Sequence, residues 1–180
     1  MPFVNPQNGQ IMVEGAEPGD ALAVHIETML PRGENPRGTC CMIPHFGGLT
    51  EIRHAQLATA RTHPQDPPGC ARGSLERAGD APVQPHIGTL STSPEIDSIS
   101  SLTPDAHGGN MDLPDMGPGS ITYLPVRTAG ARLFIGDARA CQGDGEVCGT
   151  AVEYASLTTI RVDVIKGWTP HHPSVFRMRH

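Results

Sequence analysis

Aromatic residues make up only 4% of this 180-residue chain, basic residues are outnumbered by acidic ones 13 to 19, and no two cysteines are spaced as CxxC. Each shortage excludes a class of protein. With a net charge of −6 and a pI near 5.8, the chain offers no basic face for a phosphate backbone, so nucleic acid is not expected as a partner. Cys40, Cys41, Cys70, Cys141 and Cys148 lack the paired spacing of a zinc ribbon; Cys141 and Cys148 could in principle bridge, but without a secretory context they read as two reduced thiols. No segment reaches the ~18 consecutive apolar residues of a membrane span. Met1-Pro-Phe-Val-Asn5 has no basic stretch followed by an apolar one. The expectation is a cytoplasmic protein with no membrane partner.

Glycine (21) and proline (18) are abundant instead, which calls for many turns and short strands rather than long helices. The length suits one domain with its own core, residues 1–180. Leu22, Val24 and Ile26 alternate with Ala23, His25 and Glu27, the period of a strand with one buried face. Ser120 to Val126, Arg132 to Ile135 and Thr158 to Lys166 read the same way. The predicted fold is all-β, sandwich-like, with long irregular loops and few short helices. Residues 53–85 show neither period and read as a loop or insertion, with one or two helical turns over Ala55–Arg61 ended by His63-Pro64. Residues 168–180 read as a surface tail.

Two glycine-rich segments gather more acid, amide and imidazole than a turn needs. His107-Gly-Gly-Asn-Met-Asp112 offers His107, Asn110 and Asp112; Gly136-Asp-Ala-Arg-Ala-Cys-Gln-Gly-Asp-Gly-Glu146 offers Asp137, Gln142, Asp144 and Glu146. Glycine permits positive φ and close backbone approach, so side chains around it can converge on a ligand. Lone Asp-Gly pairs are usually turn formers; two clusters with different donor types point to a cation or acid/base pocket. A metal beside a carboxylate suits hydrolysis, because the metal activates water while the carboxylate moves the proton. Cys141 with His107 as its base is a weaker alternative, and Ser74 and Ser101 lack the strand-turn-helix surroundings of a serine nucleophile. His45, His54, His63 and His86 share no ligand spacing, and Trp168 reads as a cover for a core edge.

The ordered segments Asn5-Pro6, Val13-Glu-Gly-Ala-Glu-Pro-Gly-Asp-Ala-Leu-Ala-Val24, Ile87-Gly-Thr89, His107 to Asp112, Gly119-Ser-Ile-Thr-Tyr-Leu-Pro-Val126, and Gly136-Asp137 to Gln142-Gly-Asp-Gly-Glu-Val-Cys-Gly149 resemble the acetamidase/formamidase family. The likeness covers about Asn5–Met29 and Pro85–Gly167. It implies an all-β amidohydrolase that converts short linear amides such as formamide or acetamide to a carboxylate and ammonia, with a divalent metal, zinc first and calcium as the alternative. The motif positions carry over as His107, Asn110, Asp112, Asp137 and Glu146; the expected metal ligands are His107, Asp112 and Asp137, and the expected catalytic residues are Glu146, which handles the proton, Asn110 and, from the loop itself, Asp144. The implied partners are a small amide and further copies of the chain.

The chain departs from the family pattern at Arg139, where members read Gly-Asp-x-His; a guanidinium is always cationic and cannot replace an imidazole ligand. Family members also carry an earlier stretch of strands with a further acid, which implies exposed sheet faces here, self-association and weak activity of the isolated chain. The competing readings are a relative that lost catalysis and serves as a binding or structural module, and a calcium-stabilised β-sandwich without turnover.

Overall fold

A computed structural model describes residues 5–34, 37–40, 47–48, 59–62, 72–75, 79–147 and 149–177. Its strands are β1 (Ala21–Pro31), β2 (Arg37–Thr39), β3 (Thr59–Thr62), β4 (Arg72–Leu75), β5 (Gly79–Pro82), β6 (His86–Ser91), β7 (Gly108–Asn110), β8 (Ser120–Pro125), β9 (Phe134–Arg139), β10 (Glu153–Tyr154), β11 (Ser156–Ile165) and β12 (Ser174–Arg177). They form antiparallel sheets, and no helix occurs among the described residues, so the protein is all-β. The few short helices expected from the sequence are not found there. The chain divides into two compact units, the first of residues 1–28, 87–137 and 159–180, the second of residues 29–86 and 138–158.

In the first unit the sheet order is β11-β1-β8-β12. The β1/β8 register sets Leu22 opposite Leu124, Val24 opposite Thr122 and Ile26 opposite Ser120, and all six are buried. The period-2 alternation therefore marks a real inner face, joined by fully buried Ile87, Leu90, Met116 and Leu133. On the other face Ile121 and Tyr123 sit opposite Phe176 and Ser174 of β12. Tyr123 meets Trp168 and Phe176 edge-on, each with ring centroids 5.6 Å apart. The reading of residues 168–180 as a plain surface tail is thus corrected for Ser174–Arg177, a strand too short to show a period of its own until β8 supplies its partner.

The turn before β1 is fastened to the end of β11. The Asp20 carboxylate accepts from Glu17 N (2.9 Å), Lys166 Nζ (2.6 Å) and Gly167 N (3.0 Å). These bonds, that of Lys166 foremost, hold its pKa down at about 2.

The second unit carries the order β5-β4-β3-β2-β10-β9. Here the sequence reading of 53–85 as an irregular loop or insertion is corrected: Thr59–Thr62, Arg72–Leu75 and Gly79–Pro82 are strands, paired in an antiparallel meander. Four-residue strands rich in Gly, Ala and Arg carry too few alternations to be read as such. Of the helical turns expected over Ala55–Arg61, Thr59–Arg61 are strand and residues 55–58 lie outside the described residues. Cys141 is a free thiol, as expected, and Cys41, Cys70 and Cys148 lie outside the described residues.

Two outcomes are expected. Leu124→Ala, which empties part of a fully buried inner face, lowers unfolding free energy by about 2–5 kcal/mol in urea titration. Because the folded pKa of Asp20 is depressed, its contribution is complete above the unfolded value near 4 and is lost as pH falls toward 2. Asp20→Asn therefore flattens the stability-versus-pH curve between about pH 4 and 2; an unchanged slope would contradict the assignment.

Candidate functional site

The first glycine-rich segment is built into the first unit by a pairing that tolerates no side chain. β7 lies against β6 with Thr89 opposite Asn110, Leu90 opposite Gly109 and Ser91 opposite Gly108. Gly108 and Gly109 have φ of 103° and 107°, and a Cβ on either would strike backbone oxygen, that of Leu90 or that of Thr103. This close approach delivers Asn110 to Thr89, whose hydroxyl donates to Asn110 Oδ1 at 2.6 Å. Asn5 Nδ2 donates to Thr89 Oγ1 (2.9 Å), to Asn110 Oδ1 (3.3 Å) and to the Ser101 carbonyl (2.8 Å). Asn110 Nδ2 then donates to Asp112 Oδ2 at 2.7 Å, while the amides of Met111 and Asp112 both donate to the Gly88 carbonyl. The result is a ladder of polar side chains running from Asn5 to Asp112.

Beside it is a cavity of about 280 Å³, lined by His107, Gln7, Thr89, Ser91, the Ile99–Ser101 segment and Phe134. His107 is only 7% exposed, and its Nδ1, like Gln7 Nε2, has no hydrogen-bond partner among the described residues. Burial pushes the imidazole pKa below its ordinary value, and Arg127 adds to this while Asp105 opposes it. The ring is therefore neutral at pH 7, with one nitrogen able to take a proton.

The second glycine-rich segment lies mostly in the second unit. Arg139, 4% exposed, donates through Nη1 to Glu146 Oε1 (2.6 Å) and Gln142 Oε1 (2.5 Å), and its Nε lies 3.5 Å from Glu153 Oε1. Gln142 Oε1 also faces His86 Nε2 at 3.1 Å, and His86 Nδ1 faces the Gln84 carbonyl at 3.1 Å. Asp144 is exposed. Burial raises the Cys141 thiol pKa, which removes the thiolate a cysteine nucleophile needs.

Of the predicted residues, His107, Asn110, Asp112 and Asp137 fall in the first unit and Asp144 and Glu146 in the second. Asn110 and Asp112 are joined directly. Among the described residues no three of His, Cys, Asp or Glu gather as a metal-binding group, so His107, Asp112 and Asp137 do not present a ready three-ligand set. Strain does single these loops out: of five described non-glycine residues at positive φ, three are Asp112 (50°), Asp137 (58°) and Glu146 (38°). Such backbone costs on the order of 1–3 kcal/mol each and tends to collect at functional sites. Sequence reasoning missed Asn5, Gln7, Thr89 and His86 as site residues. Asn5 and Asn110 are 105 positions apart, and no local pattern announces a contact of that range.

A profile of the Acetamidase/Formamidase family matches residues 95–176. The crystal structure of an acetamidase from Yersinia enterocolitica is 59% identical, with a TM-score of 0.86, covering 98% of this chain and 55% of that one. An acetamidase structure from Bacillus halodurans is 32% identical at a TM-score of 0.86, covering 97% and 56%. The acetamidase of Mycolicibacterium smegmatis is 29% identical over 89% of this chain and 53% of its own length. The chain spans about half the length of these relatives.

A pH titration of the His107 ring by NMR is expected to give a value below about 6.5, the ordinary one for histidine. With a depressed folded value, the neutral ring contributes stability in full above about pH 6.5 and loses it as pH falls. His107→Gln removes that acid-side loss; a midpoint at or above the ordinary value would refute the neutral ring.

Proposed function

Because the chain belongs to the acetamidase/formamidase family, we propose that it hydrolyses a short linear amide to a carboxylate and ammonia, using the polar cavity of its first unit. The observation that carries this reading is His107: a buried, neutral imidazole whose Nδ1 has no partner among the described residues and which lines a cavity of about 280 Å³. A primary amide needs a donor for its carbonyl oxygen and a base for the attacking water. Gln7 Nε2 offers the donor, and His107 takes the water proton as the new C–O bond forms. The same imidazolium then returns the proton to the amide nitrogen as the C–N bond breaks, releasing ammonia. The Asn5–Thr89–Asn110–Asp112 ladder keeps the wall in place and acts through it.

Glu146, the proton-handling residue expected from the resemblance, is engaged by Arg139. That ion pair favours one alternative, a relative that folds like the enzymes and binds without turnover. Ammonia release from formamide and acetamide, with and without chelator and added zinc, separates the two. Turnover by the wild type is expected, falling about 10²–10⁴-fold in His107→Ala and little in Asp144→Asn. Loss of rate in chelator would bring in the divalent ion, zinc or calcium, that the resemblance implies. No ammonia from a folded wild-type chain would sink the hydrolase reading in favour of the binding module.

A further inference from the structure

A strand at the end of a sheet points a row of backbone N–H and C=O groups away from its neighbour, and these pair either with water or with another strand. β11 ends the sheet of the first unit: β1 lies on one side, and among the described residues no strand lies on the other. Natural edges are blunted by shortness, proline or repelling charge. β11 has 10 residues and no proline, and the two charges within Thr159–Ile165 are opposite in sign, Arg161 and Asp163. Asp163 Oδ2 lies 2.9 Å from His25 Nε2, and Arg161 Nε lies 3.8 Å from Glu27 Oε1, so both charges sit on the outer face of the sheet, each half-exposed. Ile160, Val162 and Val164 therefore share the inner face with Leu22, Val24 and Ile26. The β1 residues are buried, whereas those of β11 are only half-buried. The apolar face thus runs out to the edge and stays partly uncovered there.

We propose that β11 is a dimerisation edge, on which the β11 of a second copy adds antiparallel with Val162 opposite the partner's Val162. The sequence Ile160-Arg161-Val162-Asp163-Val164 is complementary to itself about its centre. In that register Arg161 faces the partner's Asp163 and Asp163 faces the partner's Arg161, while Ile160 and Val164 face each other on the inner side. Centring the pair one residue earlier would set Arg161 against the partner's Arg161, and one residue later would set Asp163 against the partner's Asp163. Like charges directly opposite are destabilising, so charge selects the register. An unrelated strand would not need this symmetry, which is why a second copy is the occupant. The contact is the same patch on both chains and closes at two.

The test is independent of any amide turnover. Sedimentation equilibrium of the full chain gives mass against concentration for the wild type, Asp163→Arg, Arg161→Asp, an equimolar mixture of these two variants, and the double variant Arg161→Asp/Asp163→Arg. Circular dichroism establishes that each is folded, and Arg161→Glu replaces Arg161→Asp if the shorter acid does not fold. The wild type is expected to be a dimer that dissociates on dilution. Each single variant sets two like-charge pairs across the two-fold and should weaken association about tenfold or more. The mixture restores opposite charges in every pair, as does the double variant, and both should associate like the wild type. A wild type that stays monomeric at hundreds of micromolar, single variants that dimerise as well as the wild type, or a mixture that fails to reassociate would each overturn the proposal.

Discussion

The first unit depends on a place where two backbones touch with nothing between them. Gly108 and Gly109 approach Leu90 and Thr103 closely enough that a methyl group on either would collide with a carbonyl oxygen. Everything polar around the cavity follows from that approach. It sets Asn110 against Thr89, fixes the entry of His107 beside its wall, and draws Asn5 across from the start of the described chain. Gly136 does the same for the neighbouring stretch, since a side chain there would strike Pro6 and Gln7. The glycines that looked like turn formers in the sequence act as spacers that were left out so that polar side chains elsewhere can meet.

The two glycine-rich segments solve the burial of polar groups in opposite ways. Around His107 the protein keeps the group neutral: burial pushes the imidazole toward its uncharged form, and the residue lines a cavity. Around Arg139 neutrality is impossible, and the protein surrounds the charge with Glu146, Glu153 and Gln142. A neutral ring with a free nitrogen can accept and return a proton. A permanently charged guanidinium can only hold its surroundings in place. The two segments thus differ in chemistry, although both contain acids at strained backbone positions.

Much of the fold was legible in the sequence wherever a strand was long enough to repeat. Leu22, Val24 and Ile26 announced β1, and Ile160, Val162 and Val164 announced β11. The four-residue strands β3, β4, β5 and β12 were not legible, because two alternations cannot be told from chance and their pairing partners lie elsewhere in the chain. In the site, His107, Asn110 and Asp112 stood out because their glycines are adjacent to them. Asn5, Gln7 and His86 did not, since their roles come from contacts with distant positions. Arg139 was visible as an odd residue for its motif, but only the structure shows it buried between two glutamates.

Trp168 is the only tryptophan, and it lies edge-on to Tyr123, which also carries Phe176 of β12. The residue before it, Gly167, is held by Asp20. Indole fluorescence of this protein is therefore a local gauge of how the last strand seats on the edge of its sheet. A spectroscopic unfolding curve followed at that wavelength reports the detachment of β12 and the Asp20 anchor, while the cavity around His107 contributes no signal of its own to it.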